Sequence, residues 1–366
     1  MKILQVLPHL KKGGAEKVVI ELSNSLVYSG EDVSVLLAYP VDPTINQEFL
    51  DNRIQVNFVL NAYKNKYSHY LKLPYWIIRN RKTLKSFDVI HCHLTYGLIF
   101  GFLIWILQKA FGRKIVLVGT CHLVGAGVGT FPRIFNQYIS YFFDYFVLMA
   151  QDAKWRHFIG KQGKKNVFII TNGISSKSPK PIRHQGSKNK VWKIGTISRL
   201  EAERKPWLFI ETFAHTHKLM GDNVEFLLGG EGSERESLQI QAEHLDLSKS
   251  LKMSGLVLNP NAFLKAIDIY ISMNVEEITG IAGLEAVFSG IPVIGIQLSQ
   301  SYVNGSNDWI WSNQDPTSVA QKIVDYIKNP TQLAVIGKEQ YKIASKKFSV
   351  ERMRDEYLAL YKDSKK

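Results

Sequence analysis

The sequence predicts an α/β protein built as two doubly wound parallel-sheet domains in series. Short apolar strands alternate with amphipathic helices from the first residues onward. The alternation stops once, at the polar, proline-broken stretch Ser175–Lys190, and then restarts. A length of 366 residues suits two domains of ordinary size.

Ile3–Leu7 reads as a buried strand, followed by a Gly13-Gly14 loop, a helix over 15–29 and a strand at Val33–Ala38. Asp88–His93 is a strand with a polar end. Leu98–Phe111 is helical, Lys114–Thr120 extended, 133–143 helical, and Tyr145–Leu148 and Val167–Thr171 extended. After the linker come a strand at Trp192–Ile197, a helix over 205–219, a strand at Val224–Leu228, the turn Gly229–Gly232 and a helix over 233–245. Ile267–Met273 and Pro292–Ile296 are extended around a helix at 281–289, and helices follow at 316–329, 330–347 and 350–362. The expected domains are 1–178 and 191–348, joined by a linker at 179–190.

Composition narrows the function. A hydrophobic content of 45% excludes a disordered chain. The two cysteines, Cys92 and Cys121, have no paired spacing and suit a reducing cytoplasm. The opening Met1–Pro8 reads as a strand rather than a signal peptide. The longest apolar run, Gly97–Leu107, falls below the roughly 18 residues a membrane span needs and reads as a buried helix.

The net charge of +14 is uneven. Residues 1–180 hold 23 Lys and Arg against 10 Asp and Glu, whereas 181–366 hold 23 against 22. Between Asp51 and Asp88 there is no acid but there are eight bases: Arg53, Lys64, Lys66, Lys72, Arg79, Arg81, Lys82 and Lys85. Tyr63, Tyr67, Tyr70, Tyr75 and Trp76 are interleaved. Bases beside amphipathic aromatics suit an anionic membrane surface, at about 1 kcal/mol per base. A solvated basic face is the structural alternative, and no nucleic-acid motif accompanies the charge.

The most informative stretch is Glu277-Ile-Thr-Gly280-Ile281-Ala-Gly-Leu-Glu285. If a helix starts near Gly280, its free N–H groups form an anion site between the two carboxylates. Such an order of groups matches ribose, diphosphate and sugar. Arg199 and Lys205 follow the first strand of the second half, where a guanidinium fork and a point charge can neutralise a diphosphate. No Asp-x-Asp pair occurs, so fixed cations would stand in for a metal. Gly13-Gly14 lets a ligand approach the backbone before a helix. His93 and His122 end two strands. A zinc site from His91, His93, Cys121 and His122 matches no standard ligand spacing.

These motifs together resemble the retaining glycosyltransferases of family 4, with the GT-B fold of two Rossmann-like domains, nearly end to end. The resemblance rests on Gly13-Gly14-Ala-Glu16, Asp88–His93, Gly119–His122, Ser198-Arg199-Leu200 with Lys205, Gly230-Glu-Gly232 with Arg235, and the paired glutamates before Ser289–Val293. It implies that Arg199, Lys205, Gly14 and the backbone at Gly280 and Ile281 hold the donor diphosphate. Glu285 would bind the ribose, Gly255 and Leu256 the base, and Glu277 and His122 the reacting sugar. Front-side attack would retain the anomeric configuration. No cofactor or metal is expected, and the C-terminal helix, 349–366, would complete the first domain. The family's further Gly-Gly and Glu are absent from Gly295–Gly305, and Thr279 and Gly283 stand where bulkier apolar residues are frequent.

The expected function is transfer of a sugar from a UDP-sugar to a lipid-linked or glycan acceptor in envelope polysaccharide synthesis. The protein would be cytoplasmic and peripheral on the inner face of the membrane, with Lys64, Lys66, Lys72, Trp76, Arg79, Arg81 and Lys82 at the membrane or acceptor. A nucleotide-sugar epimerase and an inactive scaffold of the same fold remain open alternatives.

Overall fold

The computed structural model describes residues 1–11, 13–40, 50–62, 68–111, 115–122, 130–149, 166–175, 191–272, 280–295 and 315–363. The chain divides into two compact units: Met1–Ser175 with Phe348–Lys366, and Ser176–Lys347.

The first unit holds a seven-stranded, all-parallel sheet in the order β3-β2-β1-β4-β5-β6-β7. The strands are β1 (Lys2–Leu7), β2 (Asp32–Leu37), β3 (Gln55–Phe58), β4 (Val89–His93), β5 (Val116–Cys121), β6 (Tyr145–Leu148) and β7 (Val167–Ile169). The central strands are almost wholly buried because helices cover both faces, and their apolar runs are interrupted only by buried polar residues, Gln5, His91, His93 and Thr120. The order reverses between β1 and β4, the switch point where ligands bind beyond the strand ends.

The C-terminal helix Val350–Asp363 packs against the first helix, Gly14–Tyr28. Its Tyr361 hydroxyl meets His91 Nδ1 at 2.7 Å, and its Tyr357 hydroxyl meets Thr120 Oγ1 at 2.9 Å. Arg352 adds a bond to the Thr171 carbonyl at 2.5 Å. Polar pairs this deep are costly if broken, so they fix where the helix docks.

The second unit holds a five-stranded parallel sheet in the order β10-β9-β8-β11-β12, with its switch point between β8 and β11. These strands are β8 (Trp192–Ile197), β9 (Val224–Gly229), β10 (Leu251–Gly255), β11 (Ile269–Ser272) and β12 (Val293–Gly295). Phe213, Phe226, Ile194 and Ile269 sit in its core. Edge strand β12 has no further strand beside it among the described residues. The buried Gln340 amide instead bonds the Val293 N–H and carbonyl at 2.9 and 2.7 Å.

Two expectations change. Edge strands β3 and β10 and the short helices Ser68–Leu71, Leu73–Arg79, Arg81–Leu84 and Pro260–Lys265 went unread in the sequence. The apolar helix, Leu94–Phe111, is not wholly buried: Trp105 and Ile106 are about half exposed, because only one side of it meets the sheet. Among the described residues no helix is long and apolar enough to cross a membrane.

Candidate active site

In the second unit the motif residues gather at the carboxyl ends of the strands. β8 runs into Ser198-Arg199-Leu200, which lies alongside the turn after β9. Ser198 N–H donates to the Gly229 carbonyl at 2.9 Å, and Leu200 N–H to Glu231 at 2.9 Å. Gly230 has a φ of +138°, and a side chain there would strike the Ser198 carbonyl, so only glycine fits. Gly230 N–H in turn donates to the Gly255 carbonyl at 2.8 Å, which brings Gly255 beside the Arg199 loop. Gly255 is buried, whereas Leu256 is 55% exposed. Arg235 pairs with Glu231 at 3.2 Å.

Arg199 is exposed and pairs with the equally exposed Glu203 at 3.4 Å. Water competes with such a pair, so it holds Arg199 only weakly. Lys205 follows the turn Ala202–Arg204 and precedes the helix Trp207–Met220. Its backbone is left-handed, with φ 48° and ψ 53°, a conformation that costs a side-chain-bearing residue about 1–2 kcal/mol. Lys205 N–H donates to the Ala202 carbonyl at 3.0 Å, and its own carbonyl accepts from Leu208 N–H at 3.1 Å.

Across the switch point, the helix Ile281–Phe288 starts at Gly280, with no side-chain cap and no acid in its first turn. Among the described residues nothing caps its leading N–H groups, and together with the positive dipole end they suit an anion. Glu285 is half-buried in the second turn. Its charge reaches Tyr270, whose hydroxyl is held high, up to about 12, first by burial. That hydroxyl donates to the Ile197 carbonyl at 3.1 Å and accepts from Ile197 N–H at 3.2 Å. Tyr270 thus bridges β8 and β11 where their ladder has ended, and ties the Arg199 strand to the Glu285 side. Arg199, Lys205, Gly280, Ile281, Glu285 and Gly255 therefore share one end of one sheet. Glu277, Thr279 and residues 296–305 lie outside the described residues; Gly283 is buried in the helix's first turn.

In the first unit, Gly14 opens its helix with Gly13 as the cap, and the Glu16 carboxylate folds back over Gly13. His9 Nδ1 meets Glu16 Oε1 at 3.4 Å. His122, just past β5, meets His93 Nδ1 through its Nε2 at 3.1 Å, and His93 Nε2 meets the Gln5 side-chain oxygen Oε1 at 2.6 Å. An amide oxygen only accepts, so as oriented His93 carries its proton on Nε2 and accepts on Nδ1. His122 then donates from Nε2, leaving Nδ1 as an acceptor with no partner among the described residues.

Burial pushes all three imidazoles down, and His122 falls to about 4 although the nearby Glu16 charge opposes the shift. All three are neutral near pH 7. Both ring nitrogens of His91 are engaged, by Tyr361 and Thr120. That leaves it no lone pair for zinc, and no metal-holding cluster of three ligands occurs among the described residues.

The basic residues Lys72, Arg79, Arg81 and Lys82 are exposed, and Lys64 and Lys66 lie outside the described residues. Trp76, expected at the membrane or acceptor, is only partly exposed and packs its ring 6.3 Å from Phe100. Tyr75 and Ile78 hold the outward positions instead, because the helical turn places them on the opposite side.

Residues 12–176 match the family described as Glycosyltransferase Family 4, and residues 178–343 match the Glycosyl transferases group 1. The chain belongs to the GT-B glycosyltransferases. This glycosyltransferase is 23% identical, across all of its length and 99% of the relative's, to a Campylobacter jejuni N-acetylgalactosaminyltransferase acting on an undecaprenol-linked glycan. It is 24% identical over 59% of its length to the Staphylococcus aureus poly(ribitol-phosphate) α-N-acetylglucosaminyltransferase, of which the match spans only 43%.

In fold it is similar to a UDP-bound S. aureus TarM variant, with a TM-score of 0.77 at 14% identity over 99% of this chain and all of that one. Anabaena HepE with UDP and glucose gives 0.74 at 20% identity over 98% and 99% of the two chains. Tyr270 and Gln5 were not singled out in the sequence. A buried Tyr or Gln near a strand end carries no spacing signal, and only the strand register reveals its partners.

Proposed function

We propose that this glycosyltransferase moves a sugar, with retention and without a metal, from a UDP-sugar to a lipid-linked or glycan acceptor in cell-envelope polysaccharide synthesis. One observation carries the reading. At the switch point of the second sheet, a helix start with no cap among the described residues and two cationic residues stand at the same strand ends, with Glu285 behind them. Arg199, Lys205 and the N–H groups at Gly280 and Ile281 would stabilise the charge that grows on the leaving diphosphate. Glu285 would accept from the ribose hydroxyls, and the backbone at Gly255 and Leu256 would meet the base. The paired-glutamate motif assigns Glu277 to the donor sugar. In the first unit, Gly14 offers a close backbone approach, and the His122 Nδ1 lone pair, which meets no partner among the described residues, can accept from a sugar hydroxyl.

The relatives' activities favour this acceptor class, since one uses an undecaprenol-linked glycan and another a ribitol phosphate polymer. The exposed Lys72, Arg79, Arg81 and Lys82 support an inner-leaflet location, since they suit an anionic surface.

A panel of nucleotide-sugars, followed by thermal shift and product analysis, tests the assignment. Lys205→Ala should lower kcat/KM by about 10²-fold or more while the fold persists. Glu285→Gln should mainly weaken UDP. A chelator should leave the rate unchanged. Full activity in Lys205→Ala sinks the diphosphate site. Donor turnover without acceptor points to an epimerase, and no nucleotide-sugar binding points to an inactive scaffold.

A further inference from the structure

The helix Thr130–Ile139 is built inside out. Phe131, Ile134, Phe135 and Tyr138 follow the i, i+3, i+4, i+7 spacing of a core-facing stripe. Yet Phe131 is 78% exposed, Tyr138 61% and Ile134 46%, while Arg133 and Asn136 point inward and are buried. Water is a poor neighbour for such a stripe.

The surface continues to either side. The neighbouring helix, Leu94–Phe111, exposes Trp105 and Ile106, with the Trp105 ring 4.8 Å from Phe142 just beyond the inverted helix. On its far side packs Leu73–Arg79, which exposes Tyr75 and Ile78 beside Lys72 and Arg79. From β3 through β4 and β5 to β6 the sheet is crossed in one direction. Right-handed crossovers therefore set all these helices on one face, opposite the first and last helices.

Charge identifies the occupant. Between Asp51 and Asp144 the sequence holds twelve bases and a single acid, Asp88. Asp88 accepts the Lys2 N–H at 2.8 Å at the start of the sheet, away from the helices' outer surface. A second copy of this chain would bring like charge against like. An anionic bilayer offers the opposite charge at its surface and apolar chains beneath it, with Trp and Tyr suited to the boundary.

We propose that this helical face inserts into an anionic lipid bilayer. Phe131, Ile134, Tyr138 and Trp105 pass below the headgroups, while Lys72, Arg79, Arg81 and Lys82 stay among the lipid phosphates. The inference deepens the membrane location proposed above, replacing charge attraction alone with insertion.

The test is flotation of the full chain with vesicles of phosphatidylglycerol and phosphatidylcholine, with phosphatidylcholine alone as control, at low and high salt. The intact protein should bind the anionic vesicles and keep part of that binding at high salt, because insertion is not screened. Phe131→Ser with Ile134→Ser and Tyr138→Ser should lose the salt-resistant part, weakening binding about ten-fold or more, while circular dichroism stays unchanged. A polarity-sensitive probe on Tyr138→Cys, where Cys92 and Cys121 are buried, should report an apolar setting only with anionic vesicles.

Unchanged salt-resistant binding in the triple variant overturns the proposal. So does a polar probe signal on vesicles, or a dimer in solution that the triple substitution dissolves. Transfer to a short soluble acceptor should survive the triple substitution. Its absence in the intact protein would count against the transferase reading and leave the vesicle result standing.

Discussion

Lys205 holds a left-handed backbone that glycine would adopt without strain. Local strain of this kind collects where a side chain is needed for function more than the backbone is for stability. Two substitutions separate the effects. Lys205→Gly should raise stability by roughly 0.5–1 kcal/mol, since relief of strain outweighs the added freedom of the unfolded chain, yet weaken UDP as much as Lys205→Ala does. Calorimetry reads both numbers on the same samples. A destabilised Lys205→Gly would mean the left-handed turn is not strained, and unchanged UDP affinity would take the ammonium out of the diphosphate site. The cation was legible from its place after a strand, because a Ser-Arg-Leu run followed by Lys205 carries a chemical pattern. Its backbone state was not, since left-handed lysines have no sequence mark. The same holds for the Gln5–His93–His122 chain. Each histidine stands out in the sequence, but the glutamine that orients them is one polar residue in an apolar strand, and only the pairing of β1 with β4 brings it to His93.

Elements obey the same division. The central strands of both sheets were readable because they are mostly buried and mostly apolar, with only single polar residues such as His91, His93, Thr120 and Glu225 between the apolar ones. The edge strands β3 and β10 bury one side at most, so Gln55–Phe58 and Leu251–Gly255 carry too few apolar residues to stand out. The inverted helix shows a further limit, for a stripe at helical spacing announces a buried face without saying what buries it. The helix Ile281–Phe288 was legible as to its start, and that start yields a prediction. Its cap is Gly280 at φ −61° and ψ 149°, which aspartate or serine adopts freely. Gly280→Asp should stabilise the protein by a few tenths of a kcal/mol, by capping the free N–H groups and countering the helix dipole. The same charge should weaken UDP binding about ten-fold or more. Gly280→Ser, which caps without charge, should fall between. Undiminished UDP affinity in Gly280→Asp, measured by titration calorimetry, would remove the helix start from the donor site.

At the scale of the molecule, the two units differ in how they store polar groups. His91, His93 and His122 all belong to the first unit, and burial holds each below its ordinary range. The folded state therefore binds protons less readily than the unfolded chain, whose histidines titrate near 6.5. Stability from this source is full above about pH 6.5. It drains away as pH falls toward the folded values, which for His122 means about 4. Each histidine contributes a slope of up to about 1.4 kcal/mol per pH unit across that window. His91 also bonds Tyr361 and sits beside the Thr120–Tyr357 pair, so its protonation strikes the contacts that hold the C-terminal helix on the sheet. Acid should then loosen that helix together with the first unit. Scanning calorimetry between pH 7.5 and pH 5 should resolve two transitions in acid, assigned by adding UDP, which raises only the transition of the unit that binds it. The transition that UDP leaves alone should fall steeply with pH, and His91→Gln, which keeps a hydrogen-bonding side chain without a titrating ring, should flatten part of that fall. A transition indifferent to pH over this window would mean that the three imidazoles are not buried neutral.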